Sequence, residues 1–146
     1  MTAFYKCEYF IIQELVSKVM FDRYGEQCWQ FFNPAMLITA DLLRKVFGVT
    51  YVNDWHKGGD NHYKGLRGID CEIGATASIH RIGGALDSKF KNVSGREARE
   101  YIMKNQDDSS FRLITAIEMH VSHLHWDCRN RNRTHGILPV YPTQDG

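Results

Sequence analysis

His80 and Asp87 stand seven positions apart, and His123 and His125 stand two apart near the far end of the chain. These residues restrict the fold strongly, because imidazole and carboxylate groups that share one metal ion must converge on one point. Gly83 and Gly84 lie between His80 and Asp87, where a backbone without side chains turns tightly enough to bring both ligands to the same place. The second stretch reads as a strand. Side chains alternate along it, so His123, His125 and Asp127 look one way while Leu124, Trp126 and Cys128 look the other. Two histidines and one carboxylate leave a position open on a divalent ion, the arrangement of a catalytic rather than a structural zinc site. Zinc in such a site lowers the pKa of its water to about 7 and polarises a carbonyl, so hydrolysis of an amide or ester is the expected chemistry.

The run Ser78-Ile79-His80-Arg81-Ile82-Gly83-Gly84-Ala85-Leu86-Asp87, followed by His123-Leu124-His125, resembles the pattern S-x-H-x-x-G-x-A-x-D and H-x-H of the zinc D-alanyl-D-alanine carboxypeptidase family. That family also includes L-alanyl-D-glutamate endopeptidases used as phage endolysins, and its fold is shared by the hedgehog signalling domain. Every fixed position of the pattern is present. The resemblance covers about residues 37 to 142. It takes in Val52-Asn53-Asp54-Trp55, Gly58-Gly59 and Gly65-Leu66-Arg67-Gly68, which look like the upstream segment of small phage-encoded members. It implies a zinc ion held by His80, Asp87 and His125, substrate contacts from Arg67 and Ser78, and acid-base work by Glu118 and His123. Many relatives carry glutamate three residues before the last ligand. Here that position is Ser122, so the acid-base assignment is shared between Glu118 and His123.

Charge and length narrow the alternatives. A net charge of +1 argues against a nucleic-acid footprint spread over the surface. At 146 residues the chain is expected to be a single domain, residues 1–146, able to bury a core without staples. Cys7, Cys28, Cys71 and Cys128 form no C-x-x-C pair, so free thiols are expected rather than a structural zinc or a disulfide framework. The apolar run Tyr9 to Ile12 is stopped by Gln13 and Glu14, too early for a signal peptide, and no stretch approaches the length of a membrane span. The expectation is a protein made in a host cytoplasm, with no signal peptide, that reaches the cell wall or a virion by lysis or by particle assembly.

Periodicity places the elements. Cys7 to Tyr24 reads as an amphipathic helix stopped at Gly25. Asn33-Pro34 opens a second helix running to Phe47 and ending at Gly48, with Met36, Leu43, Val46 and Phe47 buried. Val49 to Asn53 reads as a strand, and 54–68 as a glycine-rich loop suited to an open groove, with His56 and His62 outside the ligand set. Ala85 to Phe90 is a strand carrying Asp87. Ser94 and Glu97 form a capping box for a helix to about Lys104. Leu113 to Ile117 is a strand ending at Glu118, antiparallel to His123 to Cys128, with His120 exposed in the turn between. Arg129, Arg131 and Arg133 read as a solvated loop or a contact for an acidic partner, and Pro139 confines Ile137 to Tyr141 to a sheet edge.

The expected fold is therefore α+β: a small, mostly antiparallel sheet carrying the zinc site, packed with N-terminal helices and one middle helix. Two functions follow. One is a zinc peptidase that hydrolyses peptidoglycan stem peptides, as a phage endolysin or a virion-associated enzyme, most plausibly between L-alanine and D-glutamate. The other is a virion or tail structural module that retains the peptidase fold and binds neighbouring tail proteins through aromatic and arginine-rich edges.

Overall fold

Alternation along the central strands decides which side chains meet the core and which meet solvent. In the computed structural model, which describes residues 4–68, 71 and 79–142, strand β2 (Ala85–Phe90) buries Leu86, Ser88 and Phe90 on one face. Strand β4 (Leu124–Asp127) buries Leu124 and Trp126 on the same face, the Trp126 indole donating to Ser88 Oγ at 3.1 Å. Asp87 and Lys89, with His125 and Asp127, take the opposite face.

Five strands form one sheet in the order β1-β2-β4-β3-β5, where β1 is Thr50–Tyr51, β3 is Ala116–Glu118 and β5 is Leu138–Val140. The β1–β2, β2–β4 and β4–β3 pairs are antiparallel, and β3–β5 is parallel, so the sheet is mixed. Three antiparallel pairs of four agree with the expected mostly antiparallel sheet, and the parallel pair makes it mixed. After β4 the chain crosses back over β3 before laying down β5, and that crossover is knitted by arginines. Arg129 grips Asp127 through Nε and Nη2, at 2.8 and 2.5 Å; Arg131 donates to the carbonyls of Thr115 and Gly136; Arg133 donates to those of Gln106, Phe111 and Arg112. Arg131 and Arg133 satisfy backbone acceptors of the fold and Arg129 a buried carboxylate, so the run is built into the crossover rather than left as a solvated loop.

Three helices occur among the described residues. α2 (Pro34–Phe47) runs as expected, capped by the Asn33 side chain on Ala35 N–H and ended at Gly48; Val46, however, is exposed while Met36, Leu43 and Phe47 are buried. α3 (Gly95–Lys104) starts at the Ser94 cap and packs Ala98 and Ile102 on the core face. An aromatic group of Phe47, Phe90, Tyr101 and Phe111 joins these helices to β2.

The single helix expected over Cys7 to Tyr24 is broken. A 3-10 turn occupies Ile12–Glu14 and closes at Leu15, Val16 and Ser17 leave the helical path, and α1 is only Lys18–Tyr24. Tertiary pairing overrides the apolar period: Leu66 N–H donates to Leu15 O and Ser17 N–H to Leu66 O, both at 2.8 Å, so Val16 bridges Leu66 as a strand residue would. Asn53 locks the arrangement. Its amide donates to Val16 O at 2.8 Å, its Oδ1 accepts from Lys64 N at 2.9 Å, and it is 3% exposed.

Two further expectations shorten. The strand before the first loop is only Thr50–Tyr51, and the one expected from Leu113 begins at Ala116, because 107–113 winds through turns. All four cysteines are free; burial pushes the thiols of Cys28 and Cys128 up to about 11 and about 12. Among the described residues no helix is long and apolar enough to cross a membrane.

Replacing Asn53 by alanine strips Lys64 N–H of its acceptor, while Val16 O keeps the Trp55 indole at 2.9 Å. The expected loss is about 1–3 kcal/mol of stability, read from the midpoint of urea unfolding at unchanged slope.

Candidate metal centre

Register builds the site. Asp87 and His125 lie directly opposite each other in the β2–β4 pair, so their side chains leave the same face at neighbouring positions. His125 Nδ1 stands 2.6 Å from Asp87 Oδ1. His80 reaches them from a 3-10 turn, Ile79–Ile82, immediately before β2. Its Nε2 is 3.3 Å from both Asp87 Oδ1 and His125 Nδ1. Gly83 (φ 69°) makes the turn between them: a Cβ there would stand 2.6 Å from Phe31 O, so both its angle and its neighbour exclude a side chain.

The three donor atoms, His80 Nε2, Asp87 Oδ1 and His125 Nδ1, form a cluster that can hold a metal ion. Donors around a tetrahedral zinc at the usual bond lengths stand about 3.3–3.5 Å apart, the spacing of two of the three pairs here. The remaining pair sits at charge-assisted hydrogen-bond distance. His80 is set up as a ligand by its far nitrogen: Nδ1 donates to Gly65 O at 3.1 Å, which leaves the Nε2 lone pair aimed into the cluster. Arg67 N–H in turn donates to His80 O at 3.0 Å. Gly65 can approach because it has no side chain; a Cβ on it would lie 2.0 Å from Leu15 O.

Electrostatics follow from burial and from this crowding. His80 is 2% and Asp87 5% exposed. Burial holds the His80 pKa below the ordinary imidazole value, outweighing the attraction of Asp87. For Asp87 burial pushes the carboxyl up, but hydrogen bonds from His123, His125 and His80 together hold it far below the usual carboxylate range. At His125 burial opposes protonation, and the Asp87 hydrogen bond and charge reverse that to raise its pKa. The cluster thus keeps one carboxylate charged and one imidazole neutral, the states that ligation requires.

The sequence-derived neighbours fall around it. His123 Nε2 lies 3.4 Å from Asp87 Oδ1, and Glu118 Oε2 lies 3.4 Å from His125 Nδ1 on the β3 side. Arg67 Nη2 is 3.9 Å from Asp87 Oδ2, with its Nε donating to Tyr63 O at 2.7 Å. Ser78 lies outside the described residues. His56 and His62 stay outside the cluster: His56 packs edge-on against Trp55, and His62 tilts over Tyr63. His120 is exposed beside Tyr141. The loop 54–68 is pinned by its own polar groups. Asp54 accepts from both amides of Asn61, its carbonyl accepts from Lys57 and Gly59 N–H, and Lys64 O accepts from Asp87 N–H at 2.7 Å.

Sequence reasoning missed the Gly65 carbonyl and Asn53 as supports of the site. A carbonyl carries no residue-type signal, and Asn53 read only as the end of a strand. No family model, curated protein or solved structure matches the chain.

His80→Ala, Asp87→Ala and His125→Ala are each expected to abolish metal retention after zinc loading and desalting, measured by elemental analysis. Gly65→Ala should lower the urea midpoint and weaken zinc about 10–100-fold, because a Cβ 2.0 Å from Leu15 O displaces the backbone that presents the Gly65 carbonyl to His80. In the unmodified protein, zinc affinity should fall as pH drops through the imidazole range, since protons compete for the same lone pairs.

Proposed function

We propose that the protein is a zinc-dependent peptidase that hydrolyses an amide bond of peptidoglycan stem peptides, between L-alanine and D-glutamate. The observation that carries this reading is the convergence of His80, Asp87 and His125 with Glu118 and His123 on their open flanks. Acid-base groups beside a three-donor cluster suit a catalytic centre, where a metal and a proton carrier act on the same bond. The motif resemblance supports the same choice of metal and substrate.

When bound, zinc supplies the Lewis acidity that polarises an amide carbonyl and acidifies a water. Glu118, half-buried beside His125, takes a proton on a carboxylate oxygen and returns it to the departing amine. His123 donates from Nε2 to the oxygen on which charge develops. Arg67, beside Asp87 Oδ2, is the residue that the motif resemblance assigns to the substrate carbonyl or carboxylate. Hydrogen bonds from His123, His125 and His80 keep the Asp87 carboxylate ionised.

A virion structural module is the weaker reading, because Arg129, Arg131 and Arg133 spend their donors on Asp127 and on backbone carbonyls of their own chain. Delivery from a lysing cell or a particle fits either use of the fold.

Zinc-loaded protein is expected to release new amine termini from purified peptidoglycan, with mass analysis locating the cut after L-alanine. Release of D-alanine alone would establish carboxypeptidase action instead, and no release from zinc-loaded protein would remove the peptidase reading. Glu118→Gln should lower kcat by about 10²–10⁴-fold with zinc content unchanged.

A further inference from the structure

The face that carries the cluster continues past it. Along β2, Lys89 follows Asp87 by two residues and so projects from the same face, about 6.7 Å further along the strand. Lys89 pairs in register with Tyr51 of the edge strand β1, and Tyr51 is 50% exposed. Continuing the β2–β4 register by one position sets His123 on the other side of Lys89. Tyr51, Lys89 and His123 therefore form a row beside the row of Asp87, His125 and Glu118. Lys89 is exposed and makes no ion pair or hydrogen bond with the described residues. Arg67, by contrast, has a side chain only 12% exposed and is engaged with Asp87 and Tyr63 O. The face is polarised: an acid, Glu118, flanks the cluster towards β3, and an ammonium flanks it towards β1.

Resting on the peptidase reading above, we propose that Lys89, beside Tyr51, is a specificity subsite for a substrate carboxylate carried on the carbon that bears the scissile nitrogen. In both candidate substrates that carbon has a free carboxylate: the D-glutamate α-carboxylate in one, the terminal D-alanine carboxylate in the other. A carboxylate two bonds from the scissile nitrogen lies a few ångströms from the metal row, within reach of a flexible four-carbon lysine stem anchored in the next row. An ammonium there attracts the anion without competing for the ligands, and Tyr51 is its register partner on the edge strand. Amidation of that carboxylate removes the charge and leaves the rest of the peptide unchanged.

The test is direct binding. L-Alanyl-D-glutamate and its α-amide are titrated by calorimetry into metal-free and zinc-loaded protein, unmodified and Lys89→Met. The unmodified protein should bind the acid at least about 5-fold more tightly than the amide in both metal states, and Lys89→Met should erase the difference with zinc content unchanged. Lys89→Arg should restore it. Equal binding of acid and amide by the unmodified protein, or an undiminished preference in Lys89→Met, would overturn the subsite. A lysine-dependent preference in a protein that cuts no stem peptide would leave the subsite standing and dispose of the peptidase reading alone.

Discussion

The contact between Asp87 and His125 is the constraint on which the rest of the site depends. It joins two strands that are far apart in sequence, and it places a carboxylate and an imidazole 2.6 Å apart on a buried face. Such a pair is costly to hold unless every lone pair and proton is matched, and here His80, His123 and Arg67 all crowd the same carboxylate. An arrangement with so much ionisable character at one point is poor engineering for stability and good engineering for holding a cation. The opposite face of the same strands, Leu86, Leu124 and Trp126, supplies the burial that keeps the register from slipping. One residue of slip would send both ligands into the core.

The N-terminal segment is part of the site although it contributes no ligand. Leu15 to Ser17 pair with Leu66, Asn53 ties Val16 to Lys64, and Gly65 presents its carbonyl to His80 because Leu15 presses against its α-carbon. The orientation of His80 is thus inherited from packing some 65 residues upstream in the chain, from residues 15–17 through 64–66. At the other end of the chain the arginines after β4 perform the corresponding task for the crossover to β5. Their donors close the backbone accounts of 106–115, where turns leave carbonyls without ladder partners. Both ends of the chain therefore act on the site through backbone hydrogen bonds.

Much of this was legible in residue types and spacing. The Gly83 turn, α2 with its Asn33 cap and Gly48 stop, the Ser94-capped α3, β2 over Ala85–Phe90 and the edge position of Pro139 depend on rules that act within a few residues, and the chain obeys them. The alternation of His125 against Trp126 is equally local, and it assigned the faces of β4 correctly. What local rules could not supply was competition from distant partners. Residues 7–24 carry a helical apolar period, yet Leu66 offers Leu15 and Ser17 strand-like hydrogen bonds, and the period yields. Glycines in 54–68 permit an open loop, but Asp54, Asn61 and Lys64 pin it. Alternating arginines signal a charged surface, and only the crossover geometry shows that their donors are turned inward. The sequence by itself determined which atoms can bind a metal, because donor chemistry belongs to the residue. Tertiary structure alone decided how those atoms are aimed, because the His80 tautomer, the Asp87–His125 register and the reach of Glu118 are set by backbone groups that no residue letter records.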